Sequence, residues 1–190
     1  MAYKTYTTKA LICGSKDSYT SDRSYRMFTE DAGMLWASAR SVREERSKQR
    51  CALQEFSLIR VSLVRGRTGW RIGSVSTEIN AYNKAQSRAA RGGVTSVVRL
   101  LRQYLHGEEA HPGVFLDTTT VLERLSSIDE DEVTTLVELY TLRILHKLGY
   151  IAPHKNYDEL LDDTDWYHSP LPLPPAAHQA VEQALRASHL

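Results

Sequence analysis

Up to about Ile79 the chain alternates apolar and polar residues with a period near two, and from about Tyr82 the period lengthens to that of a helix. In the first part, "YTTKALICGS" alternates in part and is rich in Thr, Ile and Leu, while "SYRMFT" and "MLWASA" are short strand-like runs joined by "EDAG". Gly33 in that join suits the left-handed conformation of a tight hairpin, so a two-strand unit is predicted over residues 24 to 39. "CALQEFSLIRVSLVR" reads as one long strand, with Ile59, Val61 and Leu63 on one face and Arg60 and Ser62 on the other. Phe56 and Leu58 fall on the opposite parity, which a bulge or a strand curled between two surfaces reconciles. "GRTG" then turns the chain into "WRIGSVSTEI", where Gly73 inside an apolar run marks a bulge or a close backbone approach. Five strands in about 80 residues, the long ones bulged, predict a small closed barrel.

Beyond it, Val94, Val97, Val98, Leu101 and Leu105 lie on one helical face, with Ser96, Arg99 and Gln103 on the polar side. "HGEEAHPG" ends that helix, and a shorter one covers "FLDTTTVLERLSS". A third is marked by Asp129 as N-cap with Glu132 completing a capping box and by Ile128 and Val133 as a hydrophobic staple. Val133, Leu136, Val137, Tyr140, Ile144 and Leu148 share one face, and Leu139, Leu142 and Leu145 widen the stripe, as in the central helix of a bundle. His146 and Lys147 suit the negative end of its dipole, Gly149 the C′ position, and Pro153 prevents continuation. The remainder is an acidic, weakly patterned stretch, the extended spacer "PLPLPP" and the helix-prone "AAHQAVEQALRASHL". The expected class is therefore α+β: a barrel over residues 1–80, a helical domain over 81–152, and an acidic, Pro-rich tail with a terminal helix over 153–190.

Charge sharpens this division. Of 190 residues, 42% are hydrophobic and 25% charged, as in soluble globular proteins, and the formal net charge is only +1. Yet residues 1 to 103 carry a net +11 and residues 104 to 190 a net −10. No run approaches a membrane span, and the N-terminus lacks the apolar core and cleavage site of a secretory signal, so a cytoplasmic protein without membrane contact is expected. Cys13 and Cys51 stand apart without zinc spacing, and both are expected in strands.

Catalytic and metal motifs are wanting: there is no Walker loop, no GxGxxG after a strand and no GxSxG elbow. Among the seven histidines, His106 and His111 with Glu108 come closest to a ligand cluster, but no second cluster supports them; "DDTD" at 162 to 165 is a poor calcium loop. The expectation is a protein that is not an enzyme and holds no cofactor or metal.

Nucleic-acid binding asks only for a basic surface with some stacking aromatics. "SARSVREERSKQR", predicted to join the third strand to the fourth, contributes Arg40, Arg43, Arg46, Lys48 and Arg50. Arg60, Arg65, Arg67 and Arg71 lie around the last two strands, and Lys9, Lys16, Arg23 and Arg26 on the earlier ones. Arg65, Arg67 and Arg71 crowd one turn, a repulsion that a phosphate would relieve. Trp36, Trp70, Tyr19 and Tyr25 are candidates for stacking, with core packing the better expectation for the two tryptophans.

These residues also carry a resemblance. "KALICGSKDSYTSDRSYRMFTEDAGMLWASARSV" followed by "CALQEFSLIRVSLVRGRTGWRIGSVSTEI" resembles the N-terminal domain of the RecO family of bacterial recombination mediators, and "LLRQYLHGEEAHPGVFLDT" and "LYTLRILHKLGY" resemble segments of its helical domain, so that residues 3 to 151 are covered. The resemblance implies a five-stranded OB-fold barrel followed by an α-helical domain. It implies a DNA repair and recombination role in the response to DNA damage: binding of single- and double-stranded DNA through phosphates, strand annealing or RecA loading, with RecR and single-strand-binding protein as partners. Many members continue after "LGY" into a cysteine-ligated zinc module; here "IAPHKNYDELL" follows and no zinc ligand is present, so those two protein contacts are the less secure part of the inheritance. Glu55 also stands where the family usually has proline after "LQ". The alternative from another class is a protein-interaction adaptor with weak DNA contact, which the acidic C-terminal half and Pro-rich tail would serve.

Overall fold

A computed structural model describes residues 5–18, 21–47, 49–162, 164–168 and 170–187. Five strands, β1 (Thr5–Asp17), β2 (Arg23–Thr29), β3 (Gly33–Ala39), β4 (Ser57–Gly66) and β5 (Gly69–Asn80), close into a barrel of order β1-β2-β3-β5-β4. Only the β3–β5 seam is parallel, with Ala37 opposite Trp70 and Ser38 opposite Arg71. Closure removes both sheet edges, and the alternation along each strand turns one set of side chains inward. Ile12, Met27, Leu35, Ile59, Val61 and Leu63 make the barrel's interior, each worth roughly 1.5–3 kcal/mol of burial.

The bulges read from the sequence are present. Register shifts occur between Leu58 and Ile59 and between Val61 and Leu63 along the β4–β5 pairing, the second opposite Gly73. The long fourth strand is shorter than its pattern suggested. Residues 51 to 56 lie outside the strand, in turns joined by a bend, and Phe56 takes φ +67 while its N–H donates to the Ile12 carbonyl at 2.9 Å. The side chains of residues 51 to 56 thus satisfied a strand pattern while the backbone served the barrel end. Cys51 consequently lies exposed in a turn rather than in a strand, whereas Cys13 is buried in β1, where burial pushes its thiol up to about 12.

The helices are α1 (Ala81–Lys84), α2 (Arg88–Tyr104), α3 (Pro112–Arg124), α4 (Val133–Lys147), α5 (Asp158–Asp162) and α6 (Pro175–Ala187). The chain divides into two compact units, Met1–Lys84 with Leu101–Phe115, and Ala85–Leu100 with Leu116–Leu190. In the first, residues 101 to 115 cover part of the outer barrel wall: Phe115 meets Phe28 edge-on at 5.3 Å, and the Met34 N–H donates to the Gly107 carbonyl at 3.0 Å. In the second, α4 is buried along Leu136, Leu139, Tyr140, Ile144 and Leu145, as its wide stripe implies. The capping box, however, is absent. Residues Glu130–Glu132 form a 3-10 turn, Asp129 makes no side-chain cap, and Glu132 instead accepts from Arg124 at 3.2 Å. Gly149 does close α4, at φ +80, letting the Tyr150 N–H reach the Leu145 carbonyl at 2.8 Å. Arg143 ties α4 to the segment around α5: it meets buried Asp117 at 3.3 Å, donates to the carbonyls of Leu160 and Leu161 at 2.6 and 2.8 Å, and lies over Trp166. Among the described residues, no helix is long and apolar enough to cross a membrane.

Gly33 is the tightest point of the first unit. Its φ is +66, and a Cβ there would overlap the backbone of Glu109. Gly33→Ala combines the left-handed penalty of roughly 1–2 kcal/mol with displacement of the 101–115 segment. The expected outcome is a loss of at least about 2 kcal/mol in urea unfolding, measured against the parent chain.

Candidate nucleic-acid interface

The loop between β3 and β4 is where the charge collects, and two apolar side chains decide its shape. Val42 and Leu53 are 2% and 3% exposed and belong to the barrel's core cluster, so the loop plugs one barrel end. Polar ties complete the hold. The Ser41 N–H donates to the Asp22 carboxylate at 2.9 Å, the Arg43 N–H to the Ser21 carbonyl at 3.2 Å, and Gln49 Nε2 to the Gly73 carbonyl in the β5 bulge at 2.6 Å. Ser41 takes φ +50 at the loop's first turn.

With its apolar residues turned inward, the loop presents its arginines outward. Arg40, Arg43, Arg46 and Arg50 are all exposed. On one side, Arg40, Arg46 and Arg71 share the walls of a concavity of about 320 Å³ with Ser38, Ser41 and Ser47, opposed by Glu44. On the other, Arg23, Arg43 and Arg50 line a larger one of about 600 Å³ with Ser15 and Gln54, opposed by Glu55. Asp17 serves two of these cations, at 2.8 Å from Arg23 and 3.4 Å from Arg43. The hydrogen bond from Arg23 to Asp17 holds the guanidinium above its ordinary range. Among the described residues, Arg40, Arg46, Arg50 and Arg71 make no ion pair.

The other candidates have different surroundings. Lys16 lies over the Trp36 ring at 4.4 Å, and Trp36 is 43% exposed on the outer wall rather than packed in the core as expected. It faces outward because it pairs across the sheet with Arg26, on the parity opposite the interior residues Tyr25 and Met27. Trp70 does pack against the core, beneath Arg65 at 4.8 Å, and its Nε1 is buried without a hydrogen-bond partner. Tyr25 is 2% exposed inside the barrel and offers no ring for stacking. Tyr19 and Lys48 lie outside the described residues. Lys9 pairs in register with Arg60, which reaches Glu78 at 3.7 Å. Arg67 is exposed at the β4–β5 turn.

Arg65 and Arg71 do not crowd together, because they occupy opposite faces: Arg65 is held by both oxygens of Glu108 at 2.8 Å, and Arg71 opens into the smaller concavity. Glu108, the acid of the histidine-flanked turn, is thereby engaged in an ion pair. Arg26 is also occupied. It donates to the carbonyls of Arg102 and Leu105, at 2.8 and 3.3 Å, where the end of α2 leaves carbonyls without helical partners. Burial holds its guanidinium below the ordinary range. What sequence reasoning missed is the anchoring: Val42, isolated in a charged run, was its one visible signal.

A closed five-stranded barrel in this strand order, with a charged loop across one end, defines an oligonucleotide/oligosaccharide-binding type of domain with an appended helical unit. Residues 1–80 match the family described as Recombination protein O N terminal. Relatives named DNA repair protein RecO share 26% identity: that of Dehalococcoides mccartyi (strain ATCC BAA-2266 / KCTC 15142 / 195) over 145 residues, 76% of this chain and 56% of its own. The one from Desulfitobacterium hafniense (strain DSM 10664 / DCB-2) matches over 145 residues, 76% of this chain and 52% of its own, and one from D. mccartyi (strain CBDB1) over 168 residues, 87% and 66%. The chain spans between about half and two thirds of the length of these curated relatives. The barrel thus matches the N-terminal domain of the RecO family, and the likeness to the RecO relatives runs over 145 to 168 residues of the chain.

Arg26 separates structural from ligand-facing charge. Arg26→Ala is expected to cost about 1–2 kcal/mol of stability, read by urea unfolding, and to leave oligonucleotide affinity and its salt dependence unchanged at temperatures where the chain is folded.

Proposed function

We propose that this protein acts in recombinational DNA repair by holding DNA through its phosphates on the basic rim around the β3–β4 loop, without reading base sequence and without chemistry of its own. The observation that carries the reading is the set of Arg40, Arg46, Arg50 and Arg71, which face two concavities at one barrel end without an ion pair among the described residues. Guanidinium groups so placed repel one another, and a phosphate chain relieves that cost while releasing its counterions. Arg23 and Arg43, shared through Asp17, flank the same rim, and Lys16 over exposed Trp36 adds a cation beside a ring on which a base can stack. The RecO relatives favour the same role.

The rim takes both single strands and duplex, because backbone contacts are common to both. Neutralising phosphates lets two complementary strands approach, so strand annealing arises from the same contacts. RecA loading, and contact with RecR and single-strand-binding protein, belong to the proposal through the family alone.

The test replaces Arg40, Arg46, Arg50 and Arg71 together by Gln and measures anisotropy of a labelled single strand at several salt concentrations. Each lost contact is expected to make the log–log salt slope shallower by about 0.7, with annealing of complementary oligonucleotides slowed in parallel. Unchanged affinity and slope would mean that the rim is only a solvated face, and saturable binding of an acidic protein partner would then be the function to pursue.

A further inference from the structure

A second basic surface lies outside the barrel. Helix α2 reads "RAARGGVTSVVRLLRQY" and contains no acidic residue. At 3.6 residues per turn, Arg88, Arg91, Thr95 and Arg99 fall within an arc of about 80°, and all four are exposed. The opposite side is given to the core of the helical unit through Ala90, Val94, Val97 and Val98, between 0% and 3% exposed. None of the three arginines makes an ion pair among the described residues.

Two features set this ridge apart from an ordinary solvated helix face. A soluble helix of this kind generally intersperses acids at i+3 or i+4, which stabilise it by pairing; α2 has none. Moreover, Arg88 and Arg91 stand in its first turn, where the positive end of the helix dipole disfavours cations and favours anions. The local cost is tolerated without compensation from the helix itself, and an anion lying along the ridge would remove it.

We propose that the Arg88, Arg91 and Arg99 ridge is a second track for a nucleic-acid backbone, on a different structural unit from the barrel rim. From Arg88 to Arg99 the helix advances about 16 Å, a length that faces several successive phosphates of one strand. The exposed positions between the arginines, Gly92 and Thr95, are small, and Thr95 Oγ1 is turned back to the Arg91 carbonyl at 3.0 Å. The ridge thus lacks the apolar anchors that a docked peptide needs, while nothing protrudes between the cations to keep a smooth phosphate chain away. With two tracks, one molecule can engage two strands or two stretches of one strand. The ridge rests on the reading of the protein as a nucleic-acid binder but not on the rim's residues.

The experiment compares the full chain, Arg88→Gln/Arg91→Gln/Arg99→Gln, the rim variant, and the two combined, using labelled oligothymidylate at several salt concentrations. Glutamine keeps nearly the helix propensity of arginine, and circular dichroism checks the fold. The ridge variant is expected to lower the salt slope by about 2, and the residual binding of the rim variant is expected to vanish in the combination. A ridge variant with the parent's affinity and slope, beside a rim variant that has lost its binding, overturns the ridge and leaves the rim standing. Absence of binding by the parent chain overturns both. Independently of any variant, bound oligothymidylate is expected to protect Arg88, Arg91 and Arg99 of the parent chain from phenylglyoxal. Modification of all three at the unprotected rate, with oligonucleotide bound, contradicts the proposal.

Discussion

Everything proposed for the barrel depends on the burial of Val42 and Leu53. Ordering a loop residue costs roughly 1–2 kcal/mol of backbone entropy, and the connection between β3 and β4 runs from residue 40 to residue 56. The two buried side chains offset part of that cost. The shortfall is reduced by the ties to Asp22, Ser21 and Gly73 and by the loop's own succession of turns, Glu44 to Ser41, Ser47 to Glu44 and Arg50 to Ser47. Apolar anchors at both ends and polar ties between them hold the intervening arginines on a rim, where an unanchored loop would let them spread into solvent.

That constraint also sorts the cations. Those on the barrel wall near residues 101 to 115 are engaged by the protein itself: Arg26 by the last carbonyls of α2 and Arg65 by Glu108. Those around the plugged end are engaged little or not at all. A basic domain therefore contains two populations of arginine, one that assembles the unit and one available to a polyanion, and sequence alone does not separate them.

Much of the barrel was legible. Period-two alternation located all five strands, and Gly33 and Gly73 marked the hairpin and the bulge. Two departures share a cause: a side-chain pattern does not fix the backbone state. Residues 51 to 56 look like strand because they feed apolar groups to the core, but they do so from turns. Asp129 and Glu132 have capping-box spacing, yet Arg124, eight residues before Glu132 in the chain, takes the glutamate. The parity that places Trp36 outside comes from Arg26 and Trp36 being cross-strand partners, a register that the hairpin at Gly33 could have disclosed. The partners of Arg26 and Arg65 lie at residues 102 to 108, far along the chain, where no local pattern points to them.

The central claim is that the rim arginines, and not the structural ones, meet the phosphates. Side-chain Nε–Hε resonances of arginine, followed by NMR as a short single strand is added to the full chain, test this residue by residue. The account requires Arg40, Arg46, Arg50 and Arg71 to shift together with the strand while Arg26 and Arg65 stay in place. Shifts confined to Arg26 and Arg65, or a spectrum that saturating oligonucleotide leaves unaltered at the rim, would contradict it.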